Sequence, residues 1–138
     1  MINYIQSYCQ SIGENGCYLF CLFDIAEKVT KKQFDVLKKS WYFVTKGWVQ
    51  FDRKNYKDEN NFTVLDPVAI LNHLTNLKWS VRKEPASYRI KNNDYVVEFW
   101  TINGQSGHFT RRFYNSLVYS RNRDKGRIGS YRIFNIVE

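Results

Sequence analysis

Between residues 17 and 29 the apolar positions Leu19, Phe20, Leu22, Phe23, Ile25 and Ala26 fall on most sides of a helical wheel. That pattern fits a helix surrounded by protein rather than one lying at the surface. "GENG" precedes the run and "EKVTKK" follows it, so a central helix is expected from about Gly16 to Val29. Thr30 and Gln33 are then spaced as a capping box, in which each side chain caps the other's backbone amide. Phe34, Leu37, Trp41 and Val44 recur at helical spacing after it, with Lys31, Lys32, Lys38 and Lys39 mainly on other sides. This predicts a second helix ending near Val44. "KGWVQFDRKNYKDENNFTVLDP" reads as a turn, a short strand and a polar loop. Asp66 followed by Pro67 marks a third helix start, the acid at the cap and the proline in the first turn. The helix "PVAILNHL" is short and ends near Asn76.

Beyond Asn76 the period changes. "KWSVRK", "YVVEFWTI", "HFTRRFY", "SLVYS" and "SYRIFNIV" are short and rich in β-branched and aromatic residues. Turn signals such as "KNND", "INGQSG" and "RDKGR" separate them. Helices first and strands afterwards predict an α+β fold, with N-terminal helices packed against a C-terminal antiparallel sheet. A length of 138 residues suits one core. The expected organisation is a single domain over 1–138, with a helical half at 1–77 and a sheet half at 78–138, and no internal repeat.

Composition changes this picture little. Apolar residues make up 43% of the chain, but aromatics reach 17%, so some rings must stay half-exposed. The formal charge is +8 and the pI is near 9.4, a balance that favours anionic partners such as nucleic acid or an acidic host protein. Frequent Lys and Asn also fit an AT-rich coding sequence. The opening "MINYIQSYCQ" lacks a charged start and an apolar run, and no stretch approaches the roughly 18 apolar residues of a membrane span. Cys9, Cys17 and Cys21 are odd in number and close together, unlike a disulfide framework, which points to a reducing, cytoplasmic setting.

Candidate chemistry centres on Cys17. A thiol in the first turn of a helix gains from the helix N-terminus, which favours the thiolate. The same two residues, Cys17 and Cys21 at i and i+4, read equally well as buried core thiols. A nucleophilic cysteine needs an imidazole, an orienting group and oxyanion donors. His73 lies near the end of a short helix, where a histidine is simply favourable. His108 follows "NGQSG" and opens a strand, a position suited to a cleft. Asn115 could accept the imidazole N–H. Gln10 and the Cys17 amide are oxyanion candidates, with Gln6 in reserve. A metal site from the three cysteines and a histidine lacks the paired short loops of zinc sites, so no metal or other cofactor is implied. The competing reading is a nucleic-acid binder. Arg111, Arg112, Arg121, Arg123, Lys125, Arg127 and Arg132 lie among Tyr114, Tyr119 and Tyr131, which suits phosphate contact and stacking on a single strand. A solvated basic face fits the same residues.

"QSIGENGCYLFCL", a downstream "GHF" and a polar residue after it resemble the papain-like cysteine peptidase superfamily. More narrowly, with "TVLDPVAILNHLT" and "SRNRDKGRIGSYRIFN", the chain is similar to small bacteriocin-processing (peptidase C39-like) phage and plasmid proteins. An uncharacterised family of spirochaete plasmids is among them. The resemblance implies a papain-like fold and a thiol hydrolase acting on a peptide or protein. It assigns Gln10, Cys17, His108 and Asn115 as oxyanion donor, nucleophile, base and orienting residue. A protein of this kind could also keep the fold and act as a basic binding protein without turnover.

Overall fold

The structure is a computed structural model, and it describes residues 12, 15–52, 54–55, 58–102, 106–111 and 126–138. Its described elements are three helices, α1 (Cys17–Thr30), α2 (Val36–Thr45) and α3 (Pro67–Thr75), followed by four strands. The strands are β1 (Trp79–Pro85), β2 (Tyr95–Ile102), β3 (Ser106–Arg111) and β4 (Arg127–Ile136). They form one antiparallel sheet in the order β1-β4-β2-β3. The α+β expectation therefore stands, and helices precede strands as the pattern implied.

The caps explain the helix boundaries. Thr30 is not the start of α2. Its hydroxyl donates to the Ala26 carbonyl at 2.8 Å, which makes it the last turn of α1, and Lys31 closes that helix at φ 60°. The capping-box expectation thus fails. α2 starts at the better cap, Asp35, whose carboxylate accepts the Lys38 amide at 3.1 Å. Asp66 caps α3 as expected, accepting the Ala69 amide at 3.0 Å with Pro67 in the first turn. The short strand expected around "WVQ" reduces to one bridge, Val49 to Val64. "SLVYS" lies outside the described residues.

Strand alternation sorts the sheet into two faces. Trp79, Val97 and Phe134 are buried under the helices with Leu19, Leu22 and Ile25 of α1, and Val81, Tyr95 and Phe109 pack against them. This single apolar cluster runs from Ile12 to Phe134 and ties the two halves of the chain together. The far face carries a smaller cluster of Val96, Tyr131 and Ile133, edged by Tyr88, Ile90 and Ile128. A bulge between Phe99 and Trp100 passes over Gly129. The loop from β1 to β2 is organised by Asp94, which accepts from Tyr88 Oη at 2.8 Å, the Lys91 amide at 2.9 Å and Asn135 Nδ2 at 2.9 Å. Among the described residues no helix is long and apolar enough to cross a membrane.

Candidate active site

Cys17 is the first residue of α1. The N-cap, Gly16, offers no side chain to the helix, and the first turn holds no acid. Glycine is required there by space. The Gly16 amide donates to the Ile12 carbonyl at 2.8 Å, and a Cβ at Gly16 would run into that same oxygen. Ile12 is thus packed tightly onto the helix start.

The Cys17 thiol is half-buried and free of any disulfide. Burial pushes its pKa up, and this outweighs the opposing effect of the backbone amides of Phe109, Tyr18 and Cys17 itself. A hydrogen bond that lowers a thiol's pKa stabilises the thiolate, so these backbone groups favour the charged form. Two belong to the helix start and one to β3. Cys21, one turn on, is completely buried, and burial pushes its thiol well above the ordinary range. The core reading applies to Cys21.

Packing explains why β3 approaches here. The Tyr18 ring stacks on Phe109 with centroids 4.3 Å apart and planes at 21°. Phe109 in turn meets Phe99 at 4.8 Å. Phe99 also covers Gly107, where any Cβ would collide with its ring. Two turns along α1, Arg111 of β3 donates from Nε to Asp24 at 2.8 Å and from Nη1 to the Val96 carbonyl at 2.7 Å.

The register fixes where His108 stands. It pairs with Trp100, and Phe109 pairs with Phe99. Alternation sends Phe109 and Arg111 towards α1. It sends His108 and Thr110 to the opposite face, where Thr110 and Trp100 both donate to Glu98. The start of α1 therefore meets β3 at the residue that follows His108, through the Tyr18–Phe109 stack, while the imidazole leaves the strand on the other side. β3 ends the sheet among the described strands, so sulfur and ring flank one strand edge.

Gln10 and Asn115 lie outside the described residues, as do Gln6, Cys9, Arg112, Arg121, Arg123 and Lys125. Of the basic residues weighed for phosphate contact, Arg127 is exposed at the start of β4. Arg111 is not available to a surface ligand, because its guanidinium is buried in the pair with Asp24. Among the described residues no three His, Cys, Asp or Glu side chains gather as a metal would need.

Sequence reasoning missed Asp24 and weighed Arg132 only as a phosphate contact. Asp24 is an acid inside an apolar helical run, which in hindsight signals a buried partner. Arg132 lies on the helix-facing side of β4, its guanidinium carbon 5.7 Å from the centre of the Phe99 ring and 5.6 Å from that of Phe109. Only the strand order brings it there.

Fold and site together define an α+β protein whose central helix opens on a half-buried cysteine beside β3, the last strand of the antiparallel sheet among the described residues. The chain belongs to the family described as "Protein of unknown function, DUF261", which matches residues 4–136. No curated protein and no solved structure matches it.

Proposed function

We propose that the protein is a papain-like thiol hydrolase that cleaves an amide or ester bond by acyl transfer to Cys17. One observation carries the reading: the half-buried Cys17 stands at the head of the central helix, whose start is packed onto β3 through the Tyr18–Phe109 ring stack, with His108 the neighbouring residue of that strand. The helix start adds two N–H donors, the arrangement that stabilises negative charge on a nucleophile or an oxyanion.

In this reading His108 withdraws the thiol proton, and the sulfur attacks the substrate carbonyl. The tetrahedral oxyanion is held by the Cys17 amide and Gln10. Its collapse breaks the bond to the leaving group, which takes the proton from His108, and leaves a thioester on Cys17. Water, deprotonated by His108, then releases the acid. Asn115 orients the ring. Burial alone keeps the thiol protonated, so the mechanism requires His108 to draw the proton.

The test is alkylation of Cys17 by iodoacetamide against pH, followed by mass spectrometry, in wild type, Cys21→Ser and His108→Ala. The reading expects Cys17 to react with an apparent pKa below that of an ordinary thiol, and expects this advantage to vanish in His108→Ala. Alkylation that follows a raised thiol pKa and ignores His108→Ala would refute it.

A further inference from the structure

On the outer side of the helical layer, Tyr42 of α2 is 38% exposed and its ring lies flat on His73 of α3, with centroids 4.7 Å apart and planes at 25°. Trp48 meets the edge of Tyr42 at 6.0 Å, and the fully buried Phe43 supports both His73 and Trp48 at 5.9 Å. Two cations border this terrace. Lys39 donates from Nζ to His73 Nε2 at 3.3 Å, and Lys46 Nζ lies 5.6 Å from the centre of the Tyr42 ring. Neither lysine is in an ion pair with a described carboxylate. An ammonium that donates to an imidazole keeps its whole charge, so the terrace presents a flat aromatic stack beside two unneutralised positive charges.

We infer that this terrace binds single-stranded nucleic acid, one base stacking on Tyr42 and the adjoining phosphates meeting Lys39 and Lys46. Charge and shape select this occupant together. An acidic peptide would use the lysines but not the flat ring stack, and an apolar partner would strand both cations. A nucleotide has an anionic group and a planar face on one unit, and the lysine already over the ring is a cation that a stacked base can share. The chain's net charge of +8 favours the same ligand class. The inference is independent of Cys17 and moves the expected contact from the C-terminal arginines to α2 and α3.

The experiment is fluorescence anisotropy of a labelled oligothymidylate titrated with the full chain over a salt series. The variants are Tyr42→Ala, Tyr42→Phe, the pair Lys39→Gln with Lys46→Gln, and Arg127→Gln as a distant control, each checked by circular dichroism. The expected results are about tenfold weaker binding for Tyr42→Ala, with Tyr42→Phe near wild type. The double lysine variant should lower the slope of log affinity against log salt by about 1.4, two phosphate contacts at roughly 0.7 each. Absence of binding by the wild type overturns the inference. So does binding that only Arg127→Gln weakens, or a terrace that binds anionic vesicles and ignores the oligonucleotide.

Discussion

The pair Asp24–Arg111 offers the sharpest test of how this fold is held together. Both side chains are almost fully enclosed, at 8% and 7% exposure, and the Nε–Oδ2 distance is 2.8 Å. Removing one partner leaves the other charge buried without compensation, which costs about 3–5 kcal/mol. Asp24→Asn should lose that amount, and Arg111→Met slightly more, because Arg111 also serves the Val96 carbonyl and an unmet buried acceptor costs about 1–3 kcal/mol. The double variant Asp24→Leu/Arg111→Met removes both charges and fills the space with apolar atoms. It should lie within about 2 kcal/mol of wild type, the remainder being the Val96 carbonyl. Against a typical total stability of about 5–15 kcal/mol, the single variants are close to unfolding. The assay is equilibrium urea denaturation at neutral pH. With a slope of about 2 kcal/mol per molar, each single change moves the midpoint down by about 2 M. With Asp24→Leu and Arg111→Met as its single corners, the cycle should give a coupling above about 2 kcal/mol. Single variants that cost under about 1 kcal/mol, or a double variant as unstable as the sum of the two, would refute the claim that this pair is buried and mutually dependent.

Other substitutions probe separate parts of the argument. Gly107→Ala places a methyl group inside the Phe99 ring and should cost about 1–3 kcal/mol by overpacking; Phe99→Leu in the same chain should recover part of it, and urea midpoints that show no recovery would point to another cause. Asp66→Ala removes the cap of α3 and should cost about 1 kcal/mol by thermal melting, whereas Asp66→Asn should cost less. For Asp94, burial raises the pKa, but Asn135, the Lys91 amide, Tyr88 and Arg82 together outweigh it and hold the carboxyl below its usual range. The stabilisation is therefore present above the ordinary aspartate pKa of about 4 and is lost as pH falls through the lower, folded value. An acid titration should show Asp94→Asn flattening that limb, and an unchanged limb would contradict it.

The elements were legible where local signals agreed. α1 was readable because its apolar residues surround the wheel, α3 because Asp66 and Pro67 mark its start, and β2 because "YVVEFWTI" is bounded by a turn at each end. The start of α2 was not, because Thr30 and Asp35 are both competent caps five residues apart. The choice depends on whether Thr30 bonds backward to Ala26, which is settled only when α1 runs its full length. Of the candidate site, the helix that carries Cys17 and the strand that faces it were legible. The site was not legible in its charges, since Asp24 and Arg111 each look misplaced alone and explain one another only across 87 residues of chain. His73 read as an ordinary helix-end histidine. Its stacking on Tyr42 comes from the packing of α2 against α3, which neither segment encodes by itself.

How α1 is attached to β3 decides which motion the proposed chemistry needs. Seven residues of helix separate Cys17 from Asp24, about 10 Å of rise. Two residues of strand separate Phe109 from Arg111, about 7 Å, and the length of the arginine side chain takes up the difference. The helix is thus held to one strand at two places, by the Tyr18–Phe109 ring stack next to Cys17 and by a buried ion pair at Asp24, with the fully buried Cys21 between them. A helix pinned in this way cannot carry the sulfur round to the other face of the sheet without breaking the ion pair. The proposed contact between thiol and imidazole would then depend on the His108 side chain reaching past β3, the last strand of the sheet among the described residues. In the proposed mechanism the imidazole, and not the helix, would have to move, and His108→Ala is the substitution that separates an activated cysteine from a merely buried one.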